Sequence, residues 1–257
     1  MVVQQDELLN LADIRRITGE QGSGKTNTAV SFVVDDCYSK LDKIINLQTG
    51  EYYKARPLNE KEIEFIENRG IVYDNLKHIK VFNQDGATSK IITKPKGWVI
   101  DSPVKVFCNF RLYGIRYRYV DDTTIIENVN SDTLTNGWLI LDESVLTEKR
   151  DTMTAVGKIV AWFGAQTRRR HLHMIIIAQD ETMLQSRFNL FSTTTIDCSF
   201  DEDTKMIDLV VKSKLPNMSS TSFYGPKYWK FYKHDEIVKV PQHRVDKIMH
   251  DINNIKR

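Results

Sequence analysis

The chain has 257 residues, 41% hydrophobic and 27% charged, which suits an ordinary soluble globular protein: one large domain, or one domain with an appendage, able to bury its core without staples. A formal net charge of +2 does not point to nucleic acid by itself, so any such surface must be local. Cys37, Cys108 and Cys198 are odd in number and far apart, which argues against a disulfide framework or zinc site and for buried thiols in a reducing compartment.

Residues Met1–Asp13 read as a polar arm or short helix. Ile14–Thr18 is expected to be a strand, although Arg15 and Arg16 interrupt the apolar run that a buried strand normally shows. The expectation is a short strand, or arginines that emerge at the rim of the sheet. Gly19–Thr26 follows, Gly-Glu-Gln-Gly-Ser-Gly-Lys-Thr, and fits G-x-x-x-x-G-K-[ST] at every fixed position. Its glycines let successive amides turn inward around phosphate oxygens, and a helix starting here adds its N-terminal partial charge. Gln21, Gly22, Ser23, Gly24, Lys25, Thr26 and Asn27 are the candidate nucleotide-binding residues. Lys25 would reach the β- and γ-phosphates of ATP, and the Thr26 hydroxyl would hold Mg2+.

Thr26–Ser39 reads as a helix with Ala29, Val30, Val33 and Val34 on its apolar face, and Lys43–Leu47 as a strand. Glu51–Gly70 looks peripheral: Pro57 breaks it, and Leu58–Asn68 is a charged helix with Ile63 and Ile66 inward. Ile71–Phe82 offers one or two strands with a turn at Asp74-Asn75, and Asp85–Gly97, rich in lysine, glycine and threonine, reads as a surface loop. Val104–Phe110 alternates as a half-buried strand should. Arg111–Tyr119 interleaves arginine with tyrosine. Gly137–Asp142 is a short apolar strand ending in Asp142-Glu143. Asp151 or Thr152 would cap a helix carrying Met153, Val156, Val160 and Phe163 and ending in Arg168-Arg169-Arg170. Met174–Gln179 gives the strongest parallel-strand signal, and Thr193–Phe200 with Met206–Val211 read as a strand pair. Ser219–Tyr232 is aromatic and lysine-rich, and the end from Gln242 is a charged helix or tail. The expected division is a core over residues 1–200, with a peripheral insertion at about 50–100, and a C-terminal extension over 201–257 packed on the core. No secretory signal opens the chain, and the longest strong apolar run, Met174–Ala178, is too short to cross a bilayer, so a soluble intracellular protein is expected.

The chemistry gathers at the ends of strands. Asp142, closing an apolar strand downstream of the phosphate loop, is placed to hold Mg2+ directly or through water. Glu143, immediately after it, can polarise water for in-line attack on the γ-phosphate. Gln179 ends the next apolar strand, where an amide can touch the γ-phosphate or the attacking water and report hydrolysis. Arg168, Arg169 and Arg170 either pair with a helix C-terminus on a solvated face or enter a neighbouring subunit's site as an arginine finger. Arg187 is a further candidate. His171 and His173 lack further ligands at metal spacing and read as surface or structural residues. Arg111–Tyr119 and Lys227–Lys233 carry cations and rings that suit nucleic acid, or an amphipathic strand with snorkelling ends.

Gly19–Thr26, Leu139–Glu143 and Arg168–Gln179 together make the chain resemble the FtsK–HerA superfamily of P-loop ATPases, and most of all the small genome-packaging ATPases of tailless viruses with internal membranes, archaeal ones included. Val106-Phe-Cys-Asn-Phe-Arg-Leu is similar to a strand with a central asparagine in phage assembly ATPases of the zonula-occludens-toxin-like group. The likeness covers roughly Ile14–Leu190. It implies an α/β P-loop NTPase with a RecA-like, mostly parallel sheet flanked by helices, with a small β-containing C-terminal extension. It also implies a homo-oligomeric ring, often a hexamer, with ATP at subunit interfaces, double-stranded DNA in the pore and a capsid or vertex protein as partner. The place of action would be the host cytoplasm, with association to the virion.

The competing readings are an assembly ATPase of the zonula-occludens-toxin-like group, a P-loop kinase or GTPase, and a nucleotide-gated adaptor without turnover. The first group usually carries a membrane span. Kinases and GTPases do not generally place a glutamate directly after the aspartate, and no Asn-Lys-x-Asp for guanine is present. Intact Lys25 and Glu143 argue against the adaptor.

Overall fold

The computed structural model describes residues 14–83, 86, 88–128, 131–142, 163–179, 192–213 and 218–233. Its strands, in chain order, are β1 (Ile14–Thr18), β2 (Lys43–Asn46), β3 (Tyr52–Arg56), β4 (His78–Phe82), β5 (Ser89–Thr93), β6 (Trp98–Asp101), β7 (Lys105–Cys108), β8 (Arg118–Tyr119), β9 (Gly137–Asp142), β10 (Leu172–Ile177), β11 (Thr194–Phe200), β12 (Met206–Ser213) and β13 (Met218–Tyr224). The α-helices bounded among the described residues are α1 (Lys25–Ser39), α2 (Glu60–Glu67) and α3 (Asp122–Glu127).

The main sheet has eight strands in the order β13-β12-β11-β1-β10-β9-β7-β8. From β11 through β8 every neighbouring pair is parallel, and β12 and β13 extend the sheet antiparallel beyond β11. This is an α/β, mostly parallel RecA-like sheet. Both faces of its centre are buried, which is why β9 and β10 read as unbroken apolar runs. Ile17, Ile140, Ile175, Ile177 and Ile196 pack toward α1, and Ile14, Phe107, Leu139, Leu141, Met174 and Ile176 form a second cluster with Phe163 and Leu172.

Arg15 does not emerge at the rim. It is 1% exposed, with its guanidinium carbon 5.2 Å from the centre of the Phe32 ring and 5.3 Å from that of Trp138. The flat cation lies among aromatic faces, so the strand tolerates it inside. Arg16 lies on the opposite face and donates from Nε to Ser192 Oγ at 3.1 Å.

The second sheet, β5-β4-β3-β2-β6, is antiparallel throughout. The stretch expected as a loop, Asp85–Gly97, holds β5 at the edge of this sheet, where Ser89 and Lys90 are exposed and only one side pairs. Lysines on an edge strand face water and resist further pairing, so their presence does not argue against a strand. Ile44, Ala55, Ile79, Val81 and Ile100 of this sheet share a core with Val33, Cys37 and Tyr38 of α1. Main sheet, second sheet and C-terminal segment together bury α1 on nearly every side. That explains why its sequence has no sharply polar face. Ahead of β4 a single turn closes at Asp74, whose Oδ1 accepts from the Leu76 N–H at 2.8 Å. Among the described residues no helix is long and apolar enough to cross a membrane.

Candidate nucleotide site

The phosphate loop leaves β1 at the carboxyl edge of the sheet. Register places Ile17 beside Ile177 and Ile177 beside Asp142, so β1, β10 and β9 end in one row. With about 4.8 Å between strands, Asp142 stands two strand spacings from the loop, and the end of β10 lies between them. Open α/β sheets bind ligands at this edge.

Close contacts mould the loop. Gly19 has φ 145°, and a Cβ there would come within 2.6 Å of the Cys198 carbonyl oxygen. Gly24 has φ 89°, and a Cβ there would meet Ile207 Cδ1 at 2.7 Å. Gly24 is also the N-cap of α1 and makes no side-chain capping bond. The amides of Lys25, Thr26 and Asn27 therefore begin the helix without intrahelical partners, as a phosphate site requires. Ser23 Oγ is buried in the loop with no hydrogen-bond partner among the described residues. Gln21 and Gly22 are open to solvent. The Lys25 ammonium lies over its own loop, donating to the carbonyls of Gly19 at 2.8 Å and Glu20 at 2.6 Å.

Thr26 Oγ1 donates to Asp142 Oδ2 at 2.8 Å, which brings together the two residues expected to hold the metal. A hydroxyl and a carboxylate are hard oxygen donors, and a site with few protein ligands suits Mg2+, which keeps waters and takes substrate phosphate oxygens. Bound there, Mg2+ would offset the negative charge of the phosphates. Asp142 is itself held by Asn109: its N–H donates to Asn109 Oδ1 at 2.9 Å, and Asn109 Nδ2 donates to its carbonyl at 2.7 Å. This is the central asparagine of the β7 motif, and the bridge ties the chain just past β7 to the end of β9. Glu143 and Arg187 lie outside the described residues. Gln179 is exposed just past β10, and the preceding amide, of Ala178, donates to the Ile17 carbonyl at 3.0 Å, which fixes the exit of β10 against β1.

Two expected site residues are committed elsewhere. The Asn27 side chain is 1% exposed and donates from Nδ2 to the Gly225 carbonyl at 2.9 Å, so only its backbone N–H remains for phosphate. Arg170 is 8% exposed; it donates to the Ser131 carbonyl at 2.7 Å and lies 5.0 Å from the centre of the Phe163 ring. It braces the turn before β10. Arg168 and Arg169 are exposed in that turn, at the amino end of β10 and the opposite edge of the sheet from the phosphate loop. His173 stacks on Trp138 with ring centres 4.5 Å apart.

Sequence reasoning missed the buttress of the loop. Thr28 Oγ1 and Cys198 Sγ are 3.4 Å apart, Ile207 backs Gly24, Gly225 receives Asn27, and the Tyr228 hydroxyl donates to Asp35 Oδ2 at 2.7 Å. Residues far along the chain thus hold α1 from its first turn to its third. The only signal was the cluster of rings in Ser219–Tyr232, which marks burial without naming a partner.

A glycine-walled phosphate loop on a central parallel strand, with a threonine–aspartate pair at the same sheet edge, defines a P-loop NTPase. No family model matches the chain, and no curated protein matches it in sequence. In three dimensions it is similar to the N-terminal domain of zonular occludens toxin from Neisseria meningitidis, at 15% identity and TM-score 0.50, over 87% of this chain and 100% of that one. It is also similar to the genome packaging NTPase B204 from Sulfolobus turreted icosahedral virus 2, solved in complex with ATP-gammaS, at 10% identity and TM-score 0.39, over 81% and 95% of the two chains. A KaiC-like protein from Pyrococcus horikoshii OT3 is similar at 10% identity and TM-score 0.39, over 82% and 84%. At these identities the likeness is one of fold.

Proposed function

We propose that the protein is an ATP-hydrolysing motor that moves double-stranded DNA, acting as a homo-oligomeric ring that packages a viral genome at a capsid vertex in the host cytoplasm. The observation that carries the hydrolytic part is the Thr26–Asp142 pair at 2.8 Å, beside a helix that starts at the phosphate loop with no side-chain cap. In this reading Lys25 leaves the Gly19 and Glu20 carbonyls for the γ-phosphate, and Glu143 takes the proton of the attacking water. The bond from the γ-phosphorus to the bridging oxygen breaks, giving ADP and phosphate. In the same reading Gln179, just past β10, registers that loss and shifts its neighbourhood. The DNA part is supported by the sequence resemblance and by the cations of Arg111–Tyr119, of which Arg111, Arg116 and Arg118 are exposed.

The test is ATPase activity on size-resolved oligomers, with and without DNA, across a salt series. Hydrolysis that Glu143→Gln abolishes while ATP still binds, and that duplex DNA stimulates less as salt rises, is expected. Normal turnover by Glu143→Gln would overturn the assignment of the base. A second reading, an assembly ATPase of the zonula-occludens-toxin-like group, is favoured by the fold shared with the Neisseria meningitidis domain and by Asn109 in the β7 motif. Hydrolysis indifferent to DNA at every salt concentration would select it.

A further inference from the structure

The segment Gly225–Lys233 sorts its side chains by chemistry. Tyr228, Phe231 and Tyr232 are buried, whereas Lys230 and Lys233 are exposed and Lys227 is partly so. Lys227 and Lys230 lie three residues apart at two successive 3-10 turns, a spacing that keeps such side chains on one side. Their ammonium groups lie 5.1 Å from the Tyr228 ring centre and 5.3 Å from that of Phe231, and Lys233 lies 5.9 Å from that of Tyr113. The second sheet brings two more cations to the same place, Lys77 just before β4 and Lys94 just after β5, so that Lys230 sits within the fields of Lys77, Lys94 and Lys227. Burial first, and then Lys230, draws the Lys94 ammonium down to about 8. Two acids face them: Asp74, bound to Lys77 at 3.1 Å, and Asp35 of α1, which lies in the field of Lys227. Like charges within one another's fields repel, and a run of phosphates laid across them relieves the repulsion.

The segment is also fastened to the nucleotide site. Asn27, in the first turn of α1, donates to the Gly225 carbonyl; Tyr228 donates to Asp35, farther along α1; and the Tyr113 N–H donates to the Phe231 carbonyl at 2.8 Å, in the loop that follows Asn109.

We propose that Lys77, Lys94, Lys227, Lys230 and Lys233 form a ridge that holds the phosphate backbone of double-stranded DNA, and that its anchorage on α1 couples DNA to the nucleotide site. This rests on the DNA-motor reading above. A lipid surface fits less well, because three of the segment's four rings, Tyr228, Phe231 and Tyr232, are turned into the protein and Trp229 alone among them is exposed.

The test titrates a short fluorescent duplex with wild type and with Lys77→Gln, Lys227→Gln, Lys230→Gln and Lys233→Gln, singly and combined, across a sodium chloride series, with ATPase measured without DNA. Half-buried Lys94 is left intact to protect the fold. Each single change should lower the salt slope by about 1 and the combination by about 3 to 4, with DNA-free ATPase unchanged. Tyr228→Phe should keep DNA affinity and lose DNA stimulation of hydrolysis. A combined variant with undiminished affinity and slope overturns the ridge while leaving the DNA-motor reading standing. No salt-dependent binding by wild type overturns both. Stimulation unchanged in Tyr228→Phe overturns the coupling. Binding to phosphatidylserine vesicles that the lysine changes abolish, with duplex binding intact, overturns the ridge in favour of a lipid surface.

Discussion

Asn109 and Asp142 hold each other by two hydrogen bonds that run in opposite directions, from the Asn109 amide to the Asp142 carbonyl and from the Asp142 N–H to Asn109 Oδ1. The bonds fix the backbone of Asp142, and so set its carboxylate against Thr26 Oγ1. Asn109→Ala removes both and leaves a donor and an acceptor at the strand end without their partner. The expected cost is about 2 to 3 kcal/mol of stability, read from urea unfolding. If Asp142 holds Mg2+ as proposed, the loss of its partner should also raise the Mg2+ concentration for half-maximal ATPase about 10- to 100-fold. A variant that loses stability with no change in Mg2+ dependence would show that Asn109 serves only the fold.

Glu62 gives α2 a pH signature. Its carboxylate accepts from both terminal nitrogens of Arg56 at 2.8 Å, from Lys80 at 2.6 Å and from the Asn59 N–H at 3.0 Å, while the Asn59 side chain caps the helix in return. The bonds from Arg56 lead, and with Lys80 and Asn59 they outweigh burial and hold the carboxyl down at about 2, against 4.5 for a free glutamate. A group whose folded value is lowered contributes stability above its unfolded value and loses it as pH falls through the folded one. Wild type should therefore be more stable than Glu62→Gln at pH 7, by a gap that narrows below about pH 4.5 and closes near pH 2. Urea midpoints measured across that range check it, and a constant gap would refute the assignment.

The three cysteines should be inert until the chain unfolds. Burial pushes the thiols of Cys37 and Cys108 up to about 12, and that of Cys198 up to about 11. Cys108 also donates to the Phe110 carbonyl at 3.0 Å. The thiolate is the reactive form, so at pH 7 it is scarce as well as shielded. Iodoacetamide followed by mass spectrometry should find none of the three modified in native buffer and all modified in urea. Fast labelling of any one in native buffer would contradict its burial.

Local chemistry made much of this fold legible. The ends of β1 and the start of α1 follow from the phosphate loop, and β9 and β10 from apolar runs that only a doubly covered sheet explains. The motifs alone pair Asp142 with Thr26 as the residues to hold a metal, and the two side chains meet at 2.8 Å. The failures have physical reasons. Arg15 looked wrong for a core because its neighbours, Phe32 and Trp138, come from other elements. β5 looked like a loop because an edge strand tolerates lysine and lies where turn residues cluster. The bond from Asn27 to Gly225 spans 198 positions, and no pattern within a helix shows that its asparagine has been claimed from the far end of the chain.

The position of Arg168 and Arg169 decides what they can do. β10 runs from Leu172 to Ile177, away from these arginines and toward the nucleotide edge, so they stand roughly 20 Å from their own phosphate loop. An arginine cannot bridge that gap within one subunit, but in a ring the same edge can face a neighbour's ATP. Arg170 is excluded from that part by its bond to Ser131 and its place against Phe163. Arg168→Ala with Arg169→Ala should leave folding and ATP binding intact and lower turnover about 1,000-fold or more, the effect of losing a finger. Mixed with Glu143→Gln subunits, which keep both arginines, the inactive chains should regain part of their activity, because some interfaces then pair an intact Glu143 with an intact arginine. Arg170→Ala should instead lower stability by about 2 to 4 kcal/mol, leaving a carbonyl unmet and a ring without its cation. Absence of rescue at every mixing ratio would count against a finger supplied by the neighbour.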